Sequence, residues 1–213
     1  MVNGALKARF SAYSAQPALP KLLHVRYPVW TVMLGMVFTE FVELVEERFS
    51  PALADAVLQD VAPPHGGAYT AVGYYPHEEM LALVGALSAR TGVAAPELVK
   101  VFGHHLLKRF TQGHGEMFAR SANLFDFVAS IDGHIHVEVH KLYDQATLPR
   151  FKVLSRTPTT MTLLYQSSRN MEMLAQGLLE GAAQHYGEEC RITQAPCSGA
   201  QGDGVLFTLD KTL

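Results

Sequence analysis

The chain has 213 residues, enough for one large domain or two small ones at about 150 residues per domain. With 48% hydrophobic and 17% charged residues, it has the make-up of a core-forming protein and not of a disordered one. A formal charge of −3 argues against a basic nucleic-acid binder, and two cysteines cannot build a disulfide framework.

Residues 1–32 carry Lys7, Arg9, Lys21 and Arg26 and no acid; the first carboxylate is Glu40. Pro17, Pro20 and Lys21 interrupt any apolar signal core. The segment reads as a poorly ordered N-terminal extension or as sequence upstream of the true start, with a targeting segment as the third reading. The longest weakly polar run, Pro28 to Phe38, falls short of the roughly 20 residues a membrane span needs.

From Met36 the pattern is helical: Val37, Phe38, Phe41, Val42, Val45 and Phe49 recur at spacings of three and four, with glutamates between them. Ser50-Pro51 ends that helix and opens a second, through about Gln59. Pro63-Pro64 and Gly66-Gly67 mark a loop, and Pro76 starts a helix over Glu78 to Arg90 that Gly92 stops. Pro96 starts another, with Leu98, Val101, Phe102, Leu106, Leu107 and Phe110 on its apolar side, and a long helical segment is predicted from Ala122 to Tyr143. After Pro149 the period changes. Phe151–Arg156 and Thr160–Gln166 read as paired strands around Thr157-Pro158. Met171–Tyr186 is a predicted helix, and Arg191–Gln194 and Val205–Leu209 are strands joined by the glycine-rich stretch 199–204. The layout is α+β, with helices first and an antiparallel sheet at the C-terminal end.

Ten histidines are unusual, and they are densest in Ile131-Asp-Gly-His-Ile-His-Val-Glu-Val-His140. On a helix His136 and His140 share a face and His134 does not. One reading is a non-heme zinc or iron enzyme built on His134, His136 and His140. The metalloprotease form needs Glu directly after the first His, where this chain has Val137. The other reading is a single axial ligand to a heme iron. Further on, Tyr165, Ser167 and Arg169 alternate, so on a strand they would point one way over about 13 Å at about 3.3 Å per residue. Two hydroxyls and a guanidinium suit a pair of carboxylates. Taken singly, each motif also reads as ordinary satisfied or solvated polar residues. A third reading is a partner-binding domain that has lost its cofactor. The sequence shows no nucleophile triad, P-loop or dinucleotide fingerprint.

In order along the chain, Met33-Leu-Gly-Met-Val-Phe-Thr-Glu-Phe41, then His136, then Pro149 thirteen residues on, then Tyr165-x-Ser-x-Arg169, resemble the heme nitric oxide/oxygen-binding (H-NOX) family. Ile135-His-Val-Glu-Val-His-Lys-Leu-Tyr143 and Gly177-Leu-Leu-Glu-Gly181 are similar to its bacterial stand-alone members. The resemblance runs from residue 33 to about 209 and implies a helical N-terminal part and a C-terminal part with a four-stranded antiparallel sheet, clasping heme b. It implies that His136 is the sole protein ligand of the iron, that Tyr165, Ser167 and Arg169 hold the propionates, and that Pro149 presses on the porphyrin. Phe41, Leu106 and Leu174 then fall on the gas-binding side. Where O₂-binding relatives carry a tyrosine five residues after the motif arginine, this chain has Leu174, so the implied ligands are NO and CO, with O₂ held poorly. A cytoplasmic sensor and not an enzyme is implied. The resemblance further implies that NO weakens the iron–His136 bond and that the partner is a histidine kinase or a cyclic-di-GMP enzyme. The chain departs from the family at Tyr143-Asp-Gln-Ala146, where a proline usually follows the tyrosine. It also lacks the zinc-ligand set of some relatives: Cys197 alone matches, while Glu172, Gln194 and Val205 stand near the other positions and Cys190 lies outside the pattern. No structural zinc is expected.

Overall fold

In the computed structural model the described residues are 32–143, 146–199 and 202–212. The extension at 1–31 lies outside them, and so do residues 144–145 of the departing loop. Val32, which the sequence reading left in the extension, belongs to the fold. It opens β1 (Val32–Leu34), which pairs antiparallel with β2 (Tyr74–Pro76), Met33 opposite Tyr75. Three residues are too few to display a two-residue period, so neither strand is legible in the sequence.

Helix α1 (Gly35–Arg48) buries Phe38, Phe41, Leu44 and Val45 along one stripe. Ser50 starts α2 (Pro51–Val61): its hydroxyl accepts from the Leu53 amide at 3.1 Å, and Pro51 occupies the first turn, where its missing N–H costs nothing. Helix α3 (His77–Thr91) ends on Gly92 at φ 71°, a conformation glycine adopts without strain. Helix α4 (Ala95–Gly113) completes a helical core around Phe38, Phe41, Met80, Leu83 and Phe102.

A short α5 (Gly115–Ala119) leads to α6 (Leu124–Ser130), capped by the Asn123 side chain on the Asp126 amide at 3.0 Å. The expected single helix from Ala122 to Tyr143 is broken. Residues Ile131–Ile135 form a π-helical turn, in which the His136 amide donates to the Ile131 carbonyl, before α7 (His136–Leu142). Gly133 lies inside that turn, and π-turns within helices collect at functional sites.

The sheet follows: β3 (Arg150–Arg156), β4 (Thr160–Gln166), β5 (Cys190–Cys197) and β6 (Gly204–Lys211), all antiparallel in the order β3-β4-β6-β5. Between β4 and β5, α8 (Glu172–His185) crosses α4 at glycines. A Cβ on Gly177 would meet the Lys100 carbonyl at 2.1 Å, and one on Gly103 the Leu174 carbonyl at 2.6 Å. A second core, with Leu107, Phe125, Met161, Leu163, Leu179 and Phe207, fills the space between sheet and helices. The architecture is the α+β arrangement expected, in two cores. No described helix is long and apolar enough to cross a membrane.

Candidate functional site

Between the two cores lies a cavity of about 330 Å³. Val37, Phe110, Leu174 and Leu178, which pack on the helical core, line one part of it. Phe127, Ile131, Ile135 and Phe151 line another. Its polar groups include Thr147, Ser167 and Arg169, which also line a groove opening from the same rim.

His136, the first residue of α7, faces this cavity with 17% of its side chain exposed. Its Nδ1 lies 3.2 Å from the Asp132 carboxylate, one turn back across the π-helical segment. Asp132 is itself held, accepting from the Phe151 amide at 3.0 Å. Burial pulls the His136 imidazole below its ordinary pKa, against the opposing pull of Asp132. The result is a neutral ring whose Nδ1–H is committed to a carboxylate, leaving the Nε2 lone pair free as a metal ligand. Sequence reading gave Asp132 no role; a carboxylate four residues before a candidate ligand is the signal that could have found it. His134 and His140 do not reach the cavity lining, and among the described residues no three His, Cys, Asp or Glu side chains converge to hold a metal. The three-histidine arrangement therefore does not form.

Tyr165, Ser167 and Arg169 all line the cavity, but not by the expected pleat. β4 ends at Gln166, so Ser167 and Arg169 belong to the turn that follows, which passes through Asn170 in the left-handed region at φ 48°. Tyr165 is buried opposite Phe151 and bonded to Ser167. Burial is the main cause of its raised pKa. Arg169 donates from Nη1 to the Thr147 carbonyl at 2.6 Å and from Nη2 to the Val32 carbonyl, while its Nε is buried without a partner. Burial draws its pKa below that of a free guanidinium, with Tyr165 opposing. A half-buried cation with one buried, orphaned N–H costs free energy until an anion meets it.

Pro149 and Leu174 both line the cavity. Phe41 and Leu106 lie behind its wall. Phe41 packs edge-on against Phe102 at 5.3 Å between ring centres, one turn further along α1 than Val37, which takes the lining position. Leu106 is buried in the helical core, because about 100° of helix rotation separates it from Leu107, which turns to the cavity. Tyr74 and Tyr75 are not in the lining, and the Tyr75 hydroxyl instead accepts from the Thr70 amide at 2.9 Å. The sequence reading missed Phe151, Tyr143 and the exposed His114, all of which line the cavity. Cys190 and Cys197 are the two ends of β5.

An apolar slot with one free imidazole nitrogen on its wall and an unmatched guanidinium at its rim fits a flat, apolar macrocycle that carries carboxylates and an iron. The donor set suits heme. A model of the Haem-NO-binding family matches residues 34–194, most of the chain. The chain belongs to the H-NOX family. Solved relatives agree across the fold. The H-NOX protein of K. algicida in its unliganded Fe(II) state is 32% identical, with a TM-score of 0.79 over 85% of this chain and 97% of that one. The H-NOX of Shewanella woodyi, bound to IWP-051 in the Fe(II)CO state, is 38% identical, with a TM-score of 0.73 over 84% and 95%. The H-NOX of S. oneidensis in the Fe(II)NO state is 25% identical, with a TM-score of 0.77 over 85% and 100%. No curated protein matches the chain. H-NOX domains bind heme and act as gas sensors, and the architecture found here is theirs.

Proposed function

We propose that this H-NOX chain is a non-enzymatic, cytoplasmic sensor that binds NO, and also CO, at a ferrous heme b. The observation that carries the reading is His136, facing an apolar cavity with Nδ1 committed to Asp132 and Nε2 free. In this reading His136 ligates the iron through Nε2. Tyr165, Ser167 and the orphaned Nε of Arg169 meet the propionates, and Pro149 bears on the porphyrin. Heme supplies a ferrous iron with one position open to a diatomic gas. Leu174, with Val37, Phe110 and Leu178, forms the gas-side wall, supported from behind by Phe41 and Leu106.

That wall offers no donor at position 174. A hydrogen bond to bound O₂ would be charge-assisted and worth about 1.5–3 kcal/mol, so without it O₂ is held poorly. NO and CO depend far less on such a donor. The Fe(II)NO and Fe(II)CO states recorded for the S. oneidensis and S. woodyi relatives support that choice of ligand.

The signal is the state of His136. Release of His136 from a bound iron would leave α7 and the π-helical turn before it free to shift, and the helical core could then move relative to the sheet, because packed interfaces have discrete alternatives. A partner with different affinities for the two arrangements reads the change. The family resemblance points to a histidine kinase or a cyclic-di-GMP enzyme.

Absorption spectra of the ferrous protein before and after NO test the reading directly. A Soret band that shifts to a five-coordinate nitrosyl form is expected. His136→Gly should lose the ligation and regain it with free imidazole. Unchanged spectra in His136→Gly without imidazole, or a stable oxy complex in air, would overturn the assignment of ligand or gas.

A further inference from the structure

Arg169 is the one Lys or Arg side chain among the described cavity-lining residues, a single positive charge for a porphyrin that carries two carboxylates. One N–H of each terminal nitrogen is engaged with a backbone carbonyl, and Nε is buried and unmatched. That suits one carboxylate and leaves the other without a cation. The cavity rim continues into a groove of about 350 Å³, with Thr147, Leu148, Ser167 and Arg169 lining both spaces. Arg150 lines the groove beyond them. It follows Pro149 directly, opens β3 opposite Gln166, and is exposed. No carboxylate pairs with it among the described residues, whereas Arg90 and Arg156 each have one and Arg109 has two. Asp203 is the one acid among the described groove residues.

We propose that Arg150 is the counter-ion of the second porphyrin carboxylate, a specificity residue for a dicarboxylate porphyrin additional to Tyr165, Ser167 and Arg169. The proposal rests on the heme reading above. In this arrangement the half-buried Arg169 anchors one carboxylate inside the rim. Arg150 meets the other where the groove opens to solvent, as a paired and partly hydrated contact.

The test uses the full chain stripped of heme and titrated, by porphyrin fluorescence, with iron-free protoporphyrin IX and with its dimethyl ester. Arg150→Met should weaken the diacid about tenfold, the size of one charge-assisted pair at a partly exposed rim, and leave the ester unchanged. Arg150→Lys should recover part of that loss, and added salt should narrow the gap between diacid and ester. Wild-type affinity for the diacid in Arg150→Met would overturn the proposal and leave the heme reading standing. Equal loss of both porphyrins would overturn it too, by making the residue structural. Failure of the wild-type chain to bind either porphyrin would overturn the proposal and the heme reading together.

Discussion

His136 takes its chemistry from a residue four positions back. Asp132 accepts from the imidazole Nδ1 and from the Phe151 amide, so one carboxylate orients the candidate ligand and ties its helix to the start of β3. Asp132→Ala leaves that amide without its partner and the imidazole free to turn. In urea denaturation of the heme-free protein it should cost about 1–3 kcal/mol. A reconstituted sample should also release heme faster to an apomyoglobin acceptor. Unchanged stability and heme release would show that the contact orients nothing. Leu174 gives the second prediction at this scale. Leu174→Tyr adds a hydroxyl to the cavity lining, and a ferrous sample in air should then form an oxy complex that the wild-type chain does not hold.

At the scale of the element, the crossing of α4 and α8 depends on glycine for closeness. A Cβ on Gly177 would overlap the Lys100 carbonyl, which is backbone and cannot step aside. Gly177→Ala should therefore force the helices apart and destabilise the fold by about 2–3 kcal/mol, read as a lowered urea midpoint with an unchanged slope. α8 also carries Leu174 and Leu178 into the cavity, so the same variant should alter the rate of CO rebinding. By contrast, Ser50→Ala removes only the cap of α2 and should cost about 1 kcal/mol with no spectral change. These elements differ in how far the sequence shows them. Ser50-Pro51 and the alternation in Thr160–Gln166 are local signals, and both ends of β4 fell where that pattern put them. The π-helical turn has no such local signal; within it Asp132 accepts from the Phe151 amide of a different element.

For the whole molecule, the decisive feature is that two cores meet around a cavity instead of closing on each other. Phe110 and Leu178 pack against both cores and also line the cavity. A ligand that fills this space binds only the folded chain, so it should raise stability by about 4 kcal/mol at a thousandfold excess over its Kd. Heme removal should accordingly lower Tm by about ten degrees in a domain of this size. A heme-free sample as stable as the reconstituted one would show that the cavity does not depend on its occupant.

Read alone, the sequence was enough for the α+β class, the order of the main helices and strands, and the kinship carried by His136, Pro149 and the Tyr165–Arg169 motif. Those features are local: a period of 3.6 or 2, a capping residue, a spacing along one chain. Tertiary structure alone decided that Val37 and Leu107 line the cavity in place of Phe41 and Leu106, and that Ser167 and Arg169 converge through a turn. It also decided which nitrogen of His136 is left free. Each depends on the angle at which one element meets another and on which buried polar atom finds a partner, and neither is encoded in the spacing of residues along the chain.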